Sequence, residues 1–270
     1  MIYFMIFVFL LNKSIVSAQN CGQAPRQNRV AGGSEATPHS WPWQVSLQYY
    51  GAKSQAWFHD CGGTLIHPQW ILTSAACADT FGLYPRAVLG KHNIYVPEFG
   101  AQTSDILLDA VHVLYNTTKK YSNSIALIKL RSPVTLTDKI DIACLPTQDE
   151  VLPDDSECYV VGWGSIFANG PLSSNLQQAQ LPRVSYSLCS DTYWWTPALP
   201  DKTICAGNTA HGACTGDYGG PLICKKINAW TIYGIVNFIN GKNCLGVGTP
   251  TVFTQVSAYI SWIQNVMARY

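Results

Sequence analysis

Short apolar stretches separated by turn-forming residues run through most of this 270-residue chain. Residues 61–66 and 70–73 form two such stretches with Pro68 between them, and residues 123–130 and 158–164 form two more. Each has the length and composition of a buried strand, and the abundant glycine (21) and proline (15) supply turns. The pattern predicts a turn-rich β protein.

The C-terminal segment, residues 256–270, has its apolar residues at a different spacing. They recur every three or four residues and therefore form a stripe along one face of a helix. These residues are Val256, Tyr259, Ile260, Ile263, Val266 and Met267. The sequence predicts a C-terminal helix.

Residues 1–18 form a separate element. The apolar run 2–11 has about the length of a signal-peptide core and is short for a membrane span. Residues 16–18 provide small side chains before a cut at Gln19, but Lys13 follows the apolar run instead of preceding it, so a membrane anchor is the alternative. We exclude this element from the fold and expect a secreted, extracellular protein.

Composition narrows the function classes. The chain is 47% hydrophobic and 12% charged, which suffices for a large core in one domain or two joined halves. Its formal net charge of +1 gives no electrostatic case for nucleic acid or membrane partners, and we expect neither.

The chain contains ten cysteines. An even count in an exported chain indicates five disulfides. Metal binding is the competing interpretation, but no Cys-x-x-Cys or His-x-x-x-His pair supports it. We expect no metal site and no cofactor.

One motif points to a family. Residues 212–222 read GACTGDYGGPL. They resemble the loop that carries the nucleophilic serine of trypsin- and chymotrypsin-like proteases, which reads Gly-Asp-Ser-Gly-Gly-Pro. In this chain Tyr218 stands in the place of the serine.

Two further segments resemble the surroundings of the family's other catalytic residues. Residues 73–77 read TSAAC where the family has Ala-Ala-His-Cys, so Ala76 takes the place of the histidine. Residues 123–127 read NSIAL where the family has Asn-Asp-Ile-Ala-Leu, so Ser124 takes the place of the aspartate.

The resemblance extends from Cys21 to the C-terminus and is strongest to pancreatic elastases. It implies an all-β fold of two six-stranded antiparallel β-barrels with a C-terminal α-helix and a cleft between the barrels. It divides the chain into a pro-segment at 19–29 and a trypsin-like domain at 30–270, whose halves meet near 141–157.

The resemblance also implies a disulfide pairing that spacing alone does not choose. The implied bridges are Cys21–Cys144, Cys61–Cys77, Cys158–Cys224, Cys189–Cys205 and Cys214–Cys244. A catalytic role for Cys77 is the alternative to its bridge, but a reactive thiol needs an adjacent base.

Residues 29–33 resemble the family's activation junction. Cleavage after Arg29 would free the amine of Val30, which in the family inserts beside the aspartate that precedes the serine, here Asp217. A buried carboxylate needs such a charged partner. The alternative is that Arg29 is a solvated linker residue.

The three substitutions predict that catalysis is lost. The family's acyl-enzyme chemistry needs a nucleophile, a base and an orienting anion acting as a unit. A methyl group at Ala76 cannot accept a proton, and Ser124 carries no charge. Tyr218 is a poor nucleophile whose ring should crowd the oxyanion donors, the backbone amides of Gly216 and Tyr218.

The resemblance implies a specificity pocket with Gly212 at its base and Ile239 and Thr251 on its walls. The bulk of Ile239 should narrow this pocket to small apolar side chains, as in elastases. The alternative is a vestigial pocket filled by Tyr218.

Two surface features complete the predictions. Lys91 stands where family members that bind calcium have a glutamate, and since a cation repels calcium we expect none there. Asn116 begins the sequon Asn-Thr-Thr and is a predicted glycosylation site.

We therefore expect no enzyme activity but a binding role toward a secreted partner, such as a protease, a zymogen or an inhibitor. One alternative is an elastase-like endopeptidase with an unorthodox site, in which His59, His67 or Lys53 lies beside Tyr218; otherwise we interpret His59, His67 and His92 as surface or structural residues. Another is a heparin-binding or antimicrobial homologue with lysines at 119–120 or 225–226.

Overall fold

A computed structural model describes residues 21–24, 33–79, 85–119, 122–190, 199–207, 211–239 and 249–270. The predicted signal peptide, Arg29 and Val30 lie outside the described residues. No helix among the described residues is long and apolar enough to cross a membrane.

The secondary structure of the described residues consists of two sheets and short helices. The first half contains β1 (Ser34–Glu35), β2 (Gln44–Gly51), β3 (Ala56–His67), β4 (Trp70–Thr73), α1 (Ala75–Asp79), β5 (Arg86–Leu89), β6 (Gln102–Val111) and β7 (Ala126–Leu130). The second half contains β8 (Cys158–Gly162), β9 (Gln177–Gln180), β10 (Arg183–Val184), α2 (Tyr186–Cys189), β11 (Thr203–Ala206), β12 (Pro221–Lys226), β13 (Ala229–Phe238), β14 (Thr251–Gln255) and α3 (Ile260–Arg269).

Strands β2 to β7 close into an antiparallel barrel in the order β2-β3-β4-β7-β6-β5. Closure comes from β5, which pairs back with β2 from Val45↔Leu89 to Gln48↔Arg86. Side chains such as Leu47, Leu65 and Ile71 fill the interior and are fully buried. The barrel thus buries its apolar residues and leaves no unpaired edge strand.

The second sheet has eight strands in the order β1-β9-β8-β12-β13-β14-β11-β10. It differs from the expected six-stranded barrel because two-residue strands, β1 and β10, extend its edges, and no pairing between these edges is present in the described residues. The prediction of an all-β fold with two barrel-like sheets and a C-terminal helix is confirmed.

The C-terminal helix packs by its predicted stripe. Val256–Tyr259 is a 3₁₀ turn, and the α-helix begins only at Ile260. Ile260 and Ile263 belong to the main core cluster, and Val266 and Met267 pack against it.

Four of the implied disulfides are present. They are Cys21–Cys144, Cys61–Cys77, Cys158–Cys224 and Cys189–Cys205. The fifth implied bridge involves Cys244, which lies outside the described residues.

The junction between the sheets requires a glycine at position 219. Gly219 has φ +75°, and a Cβ there would lie 2.2 Å from Thr73 Oγ1 and 2.6 Å from the Gly62 carbonyl oxygen. The free-energy costs of the positive φ and of the backbone clash add together. We therefore expect Gly219→Ala to lower the free energy of unfolding by about 3 kcal/mol or more.

Denaturant unfolding followed by tryptophan fluorescence measures this loss. Gly33→Ala is the matched control, since the nearest atom to a Cβ there is 3.7 Å away. Equal stability of the two variants would contradict the role of Gly219.

Candidate active site

The motif loop is a tight turn between the two sheets. The Asp217 amide donates to the Cys214 carbonyl and the Gly220 amide to the Asp217 carbonyl, each at 2.9 Å. Gly216 adopts φ +98° within this turn, a conformation that side chains disfavour. The turn therefore holds residue 218 at a defined place.

Tyr218 lies where the sheets meet. Its carbonyl oxygen accepts a hydrogen bond of 2.8 Å from the Gly62 amide of β3. Its half-buried ring packs against both large core clusters. The next residue, Gly219, donates to the Val236 carbonyl of β13 at 2.9 Å.

The structure brings two of the three substituted positions together. Ala76 in α1 and Tyr218 line one cavity of about 260 Å³. Ser124 does not line it. Ser124 is fully buried, and its hydroxyl has no hydrogen-bond partner among the described residues. Its carbonyl accepts a hydrogen bond from Thr254 Oγ1 at 3.0 Å.

A buried histidine–serine pair lies nearby, and the sequence analysis did not find it. His59 Nδ1 is 2.8 Å from Ser46 Oγ, and His59 Nε2 is 2.9 Å from the Gly216 carbonyl oxygen. A carbonyl only accepts, so Nε2 carries the proton and Nδ1 accepts from the serine hydroxyl. Gln48 Nε2 also donates to Ser46 Oγ, at 3.1 Å.

Burial lowers the pKa of His59 to about 4, against the opposing effect of its bond to Gly216. Its ring is therefore neutral at physiological pH. The side chain of Ser46 is fully buried and His59 is 8% exposed. No sequence signal pointed to this pair, because the contact depends on the pairing of β2 with β3, whose register shifts between Leu47 and Gln48.

His67 and His92, the other two histidines considered in the sequence, have local partners. His67 Nδ1 accepts from the Gln69 amide at 3.2 Å in the turn between β3 and β4. His92 Nε2 pairs with Glu35 Oε1 at 2.9 Å, and this bond lowers the pKa of Glu35. The His92–Glu35 pair joins β1 to the loop after β5.

Asp217 is surrounded by backbone. Its Oδ1 accepts from the Gly164 amide at 2.8 Å and its Oδ2 from the Cys214 amide at 2.9 Å. A Cβ at Gly162 or Gly164 would lie 2.0 or 2.4 Å from a carboxylate oxygen. Both positions therefore have to be glycine for this carboxylate to fit.

A cavity of about 300 Å³ opens beside the Asp217 carboxylate. Desolvation raises the pKa of Asp217 to about 6, although the two amide bonds act in the opposite direction. The lining of this cavity includes Gly33, Ser34, Gln178, His211 and Gly212. One lining residue, Gly33, thus lies four positions after Arg29 in the chain.

The three residues of the predicted specificity pocket differ in their burial and in their neighbours. Ile239 and Thr251 are each only 4% exposed, and Thr251 Oγ1 accepts from the Ala213 amide at 2.9 Å. Ile239 belongs to the core cluster against which Tyr218 packs. Gly212 instead lines the cavity beside Asp217.

The loop in which Lys91 replaces the family's calcium-binding glutamate contains its own cation. The Lys91 ammonium donates to the Val96 carbonyl oxygen. The Glu98 carboxylate accepts from the His92 amide at 2.9 Å and the Asn93 amide at 2.6 Å. Burial would raise the pKa of Glu98, but these amides and the Lys91 charge lower it.

The sequon residue Asn116 forms bonds within its own motif. Its Oδ1 accepts from the Thr118 amide at 2.9 Å and the Thr118 hydroxyl at 2.7 Å. Thr117 and Thr118 are exposed. Glycosylation of Asn116 stays a prediction.

The two antiparallel sheets, the Asp217 turn and the cleft that they enclose define a chymotrypsin-type protein. The sequence model of the trypsin family matches residues 30–263, and the chain belongs to this family.

Individual relatives support membership of the same family. The chain is similar to chymotrypsin-C of Bos taurus, with 43% identity over 268 residues, and to chymotrypsin-C of Mus musculus, with 42%. It is also 40% identical over 269 residues to chymotrypsin-like elastase family member 3A of Homo sapiens. Each match covers 97% of this chain and 98% of the relative.

The Lys91 contact leads to a prediction about calcium. Millimolar calcium chloride should not change the melting temperature of the natural chain, because the ammonium already bonds the loop carbonyl. Lys91→Glu supplies an oxygen ligand in its place and should make the melting temperature rise with calcium. Lys91→Met is the control and should not respond; calcium stabilisation of the unmodified chain would contradict the prediction.

The Asp217 carboxyl leads to a prediction about pH. Its folded pKa of about 6 exceeds the ordinary value of 3.8, so the folded chain holds a proton that the unfolded chain releases first. Stability of the uncleaved protein should therefore fall as pH rises from 4 to 6, by about 3 kcal/mol from this group.

Asp217→Asn should flatten that pH slope, whatever its effect on absolute stability. Asp155→Asn, which changes a surface carboxylate, should leave the slope unchanged. Urea unfolding at several pH values measures both; an unaltered slope in Asp217→Asn would refute the assignment.

Proposed function

We propose that this chain is a secreted, catalytically inactive homologue of chymotrypsin- and elastase-like serine proteases that acts by binding. The observation that carries the proposal is the cavity shared by Ala76 and Tyr218. Proton transfer and attack would have to occur there, and a methyl group and a phenol provide neither a base nor an activated nucleophile.

Secretion is part of the proposal. Four disulfides in the described residues are consistent with an oxidising compartment. The apolar run at 2–11 would serve as the signal for export.

We further propose that cleavage after Arg29 places the amine of Val30 beside Asp217. The cavity next to this carboxylate and its raised pKa support the proposal, because an ammonium would stabilise the ionised form. The activation switch would then survive in a protein without catalysis and would regulate binding instead.

The His59–Ser46 pair favours a second candidate, an active endopeptidase. A serine hydroxyl bonded to a neutral imidazole is the chemistry of a serine nucleophile with its base. Three facts weigh against it: Ser46 is fully buried, the other nitrogen of His59 is bonded to the Gly216 carbonyl, and no carboxylate of the described residues bonds that nitrogen. We therefore assign the pair a structural role.

The alternative of a heparin-binding or antimicrobial function has less support. Lys226 Nζ lies 2.8 Å and 2.9 Å from the oxygens of Glu150, which neutralises one of the candidate lysines. Asp155 and Glu157 line the same surface cleft as Lys225 and Lys226.

Restoring the missing residues tests the main proposal. Protein cleaved after Arg29 should not hydrolyse elastase or chymotrypsin peptide substrates and should not react with a fluorophosphonate probe. The triple variant Ala76→His, Ser124→Asp, Tyr218→Ser should gain turnover by roughly 10³-fold or more, since the triad acts as a unit. Tyr218→Ser alone should gain little.

Ser46→Ala separates the two candidates. It should leave the triple variant active if Ser46 is structural. Fluorophosphonate labelling of the natural chain that disappears in Ser46→Ala would overturn inactivity and establish the second candidate.

A further inference from the structure

A surface cleft in the second half of the chain takes no part in the candidate active site. It has a volume of about 450 Å³ and lies between the loop of residues 150–157 and the tip of the hairpin formed by β12 and β13. None of its described lining residues lines the cavity beside Asp217 or the cavity that contains Ala76 and Tyr218. The cleft is therefore a surface separate from the candidate active site.

The hairpin tip carries an isoleucine in an unfavourable conformation. Ile227 is the first of the two residues between β12 and β13, has φ +52° and is 86% exposed. Positive φ is costly for a β-branched residue, and two-residue hairpin turns favour asparagine, aspartate or glycine. The folding of the hairpin does not explain an exposed isoleucine here, whereas a contact made by the tip does.

The opposite wall of the cleft presents a second exposed apolar side chain. Val151 is 72% exposed and lines the cleft together with Ile227. It also lines an adjoining cleft with Tyr186, whose side chain is exposed as well. The cleft is thus flanked by apolar surface that is exposed in the described structure and whose burial would be favourable.

The two walls also carry opposite charges. Asp155 lies on the loop wall, and Lys225 and Lys226 lie on the hairpin wall. Lys226 is paired with Glu150 at 2.8 Å, whereas neither Asp155 nor Lys225 has an ion pair among the described residues. The Lys225 ammonium lies 6.0 Å from the centre of the Trp230 ring. One acidic and one basic side chain are therefore available for an ion pair with another molecule.

The walls are joined at their base by one carboxylate. Glu150 accepts from Lys226 Nζ at 2.8 Å, from the Tyr233 hydroxyl of β13 and from the Thr147 amide at 2.9 Å. Burial would raise the pKa of Glu150, but these bonds lower it to about 2, so the carboxylate is charged at physiological pH. The loop and the hairpin are thus fixed relative to each other, and a preformed surface loses little free energy to reorganisation on binding.

We propose that this cleft is the interface of a homodimer with two-fold symmetry. Ile227 of each copy enters the cleft of the other beside Val151. A two-fold rotation places the hairpin wall of one copy against the loop wall of the second copy, so that one patch satisfies itself. Lys225 of each copy then lies against Asp155 of the other.

The charges favour a second copy of this chain over a partner of a single charge sign. Such a partner would meet like charge on one of the two walls, whereas the rotated copy meets opposite charge on both. The contact area is small, so we expect a weak dimer with a dissociation constant of roughly 10 μM. The inference holds whether or not the chain is catalytic.

Sedimentation equilibrium of the natural chain from about 1 to about 200 μM tests the inference. The average mass should rise with concentration from that of one chain toward twice that mass. A monomer throughout this range would overturn the proposed dimer.

Ile227→Asn should raise the dissociation constant roughly tenfold or more, because the apolar contact is lost. Asparagine tolerates positive φ, so the melting temperature of the variant should not fall, which excludes misfolding as the cause. Val113→Asn is the matched control, since Val113 is 87% exposed but lies in the loop after β6. It should leave the dissociation constant unchanged; an unchanged value in Ile227→Asn would contradict the inference.

An exchange of charges tests the two-fold arrangement. Lys225→Glu and Asp155→Lys should each be monomeric alone, because each variant repeats a like-charge contact twice across the axis. Mixed in equal amounts they should form a heterodimer, since both of its contacts then join opposite charges. Native mass spectrometry identifies this species; association in the mixture no stronger than in the separate variants would refute the arrangement.

Discussion

The buried Asp217 carboxylate is the constraint around which the rest of the site is arranged. It accepts two backbone amides, from Gly164 and Cys214, and its neighbours at 162 and 164 have no room for a side chain. Removing it from these amides would leave buried donors unpaired. The need to keep the Asp217 carboxylate bonded to these amides fixes the orientation of the turn and thereby the position of Tyr218.

The turn also joins the two sheets, and it does so through backbone atoms. Gly62 of β3 donates to the carbonyl of Tyr218, and Gly219 donates to Val236 of β13. These bonds do not depend on which side chain residue 218 carries. The backbone connection between the sheets therefore does not depend on the side chain at position 218, although the Tyr218 ring also packs against both core clusters.

Two polar side chains, His59 and Lys91, have partners among the described residues, whereas the buried Ser124 hydroxyl has none there. The neutral His59 ring bonds Ser46 and Gly216, and the Lys91 ammonium bonds a carbonyl within its own loop. Each arrangement provides partners for groups that are costly to bury or confine alone. The His59–Ser46 contact meets a hydrogen-bonding requirement of two buried side chains.

The sequence alone indicated a turn-rich β protein with a C-terminal helical stripe, because hydrophobic periodicity is a local property of the chain. Its resemblance to the protease family implied the two barrels and placed Ala76, Ser124 and Tyr218 at the triad positions. Only the tertiary structure showed that Ala76 and Tyr218 share a cavity with Asp60 while Ser124 is buried apart from it. It alone also paired His59 with Ser46, across strands whose register shifts between them. These contacts depend on register and on the packing of one sheet against another, which residue spacing does not encode.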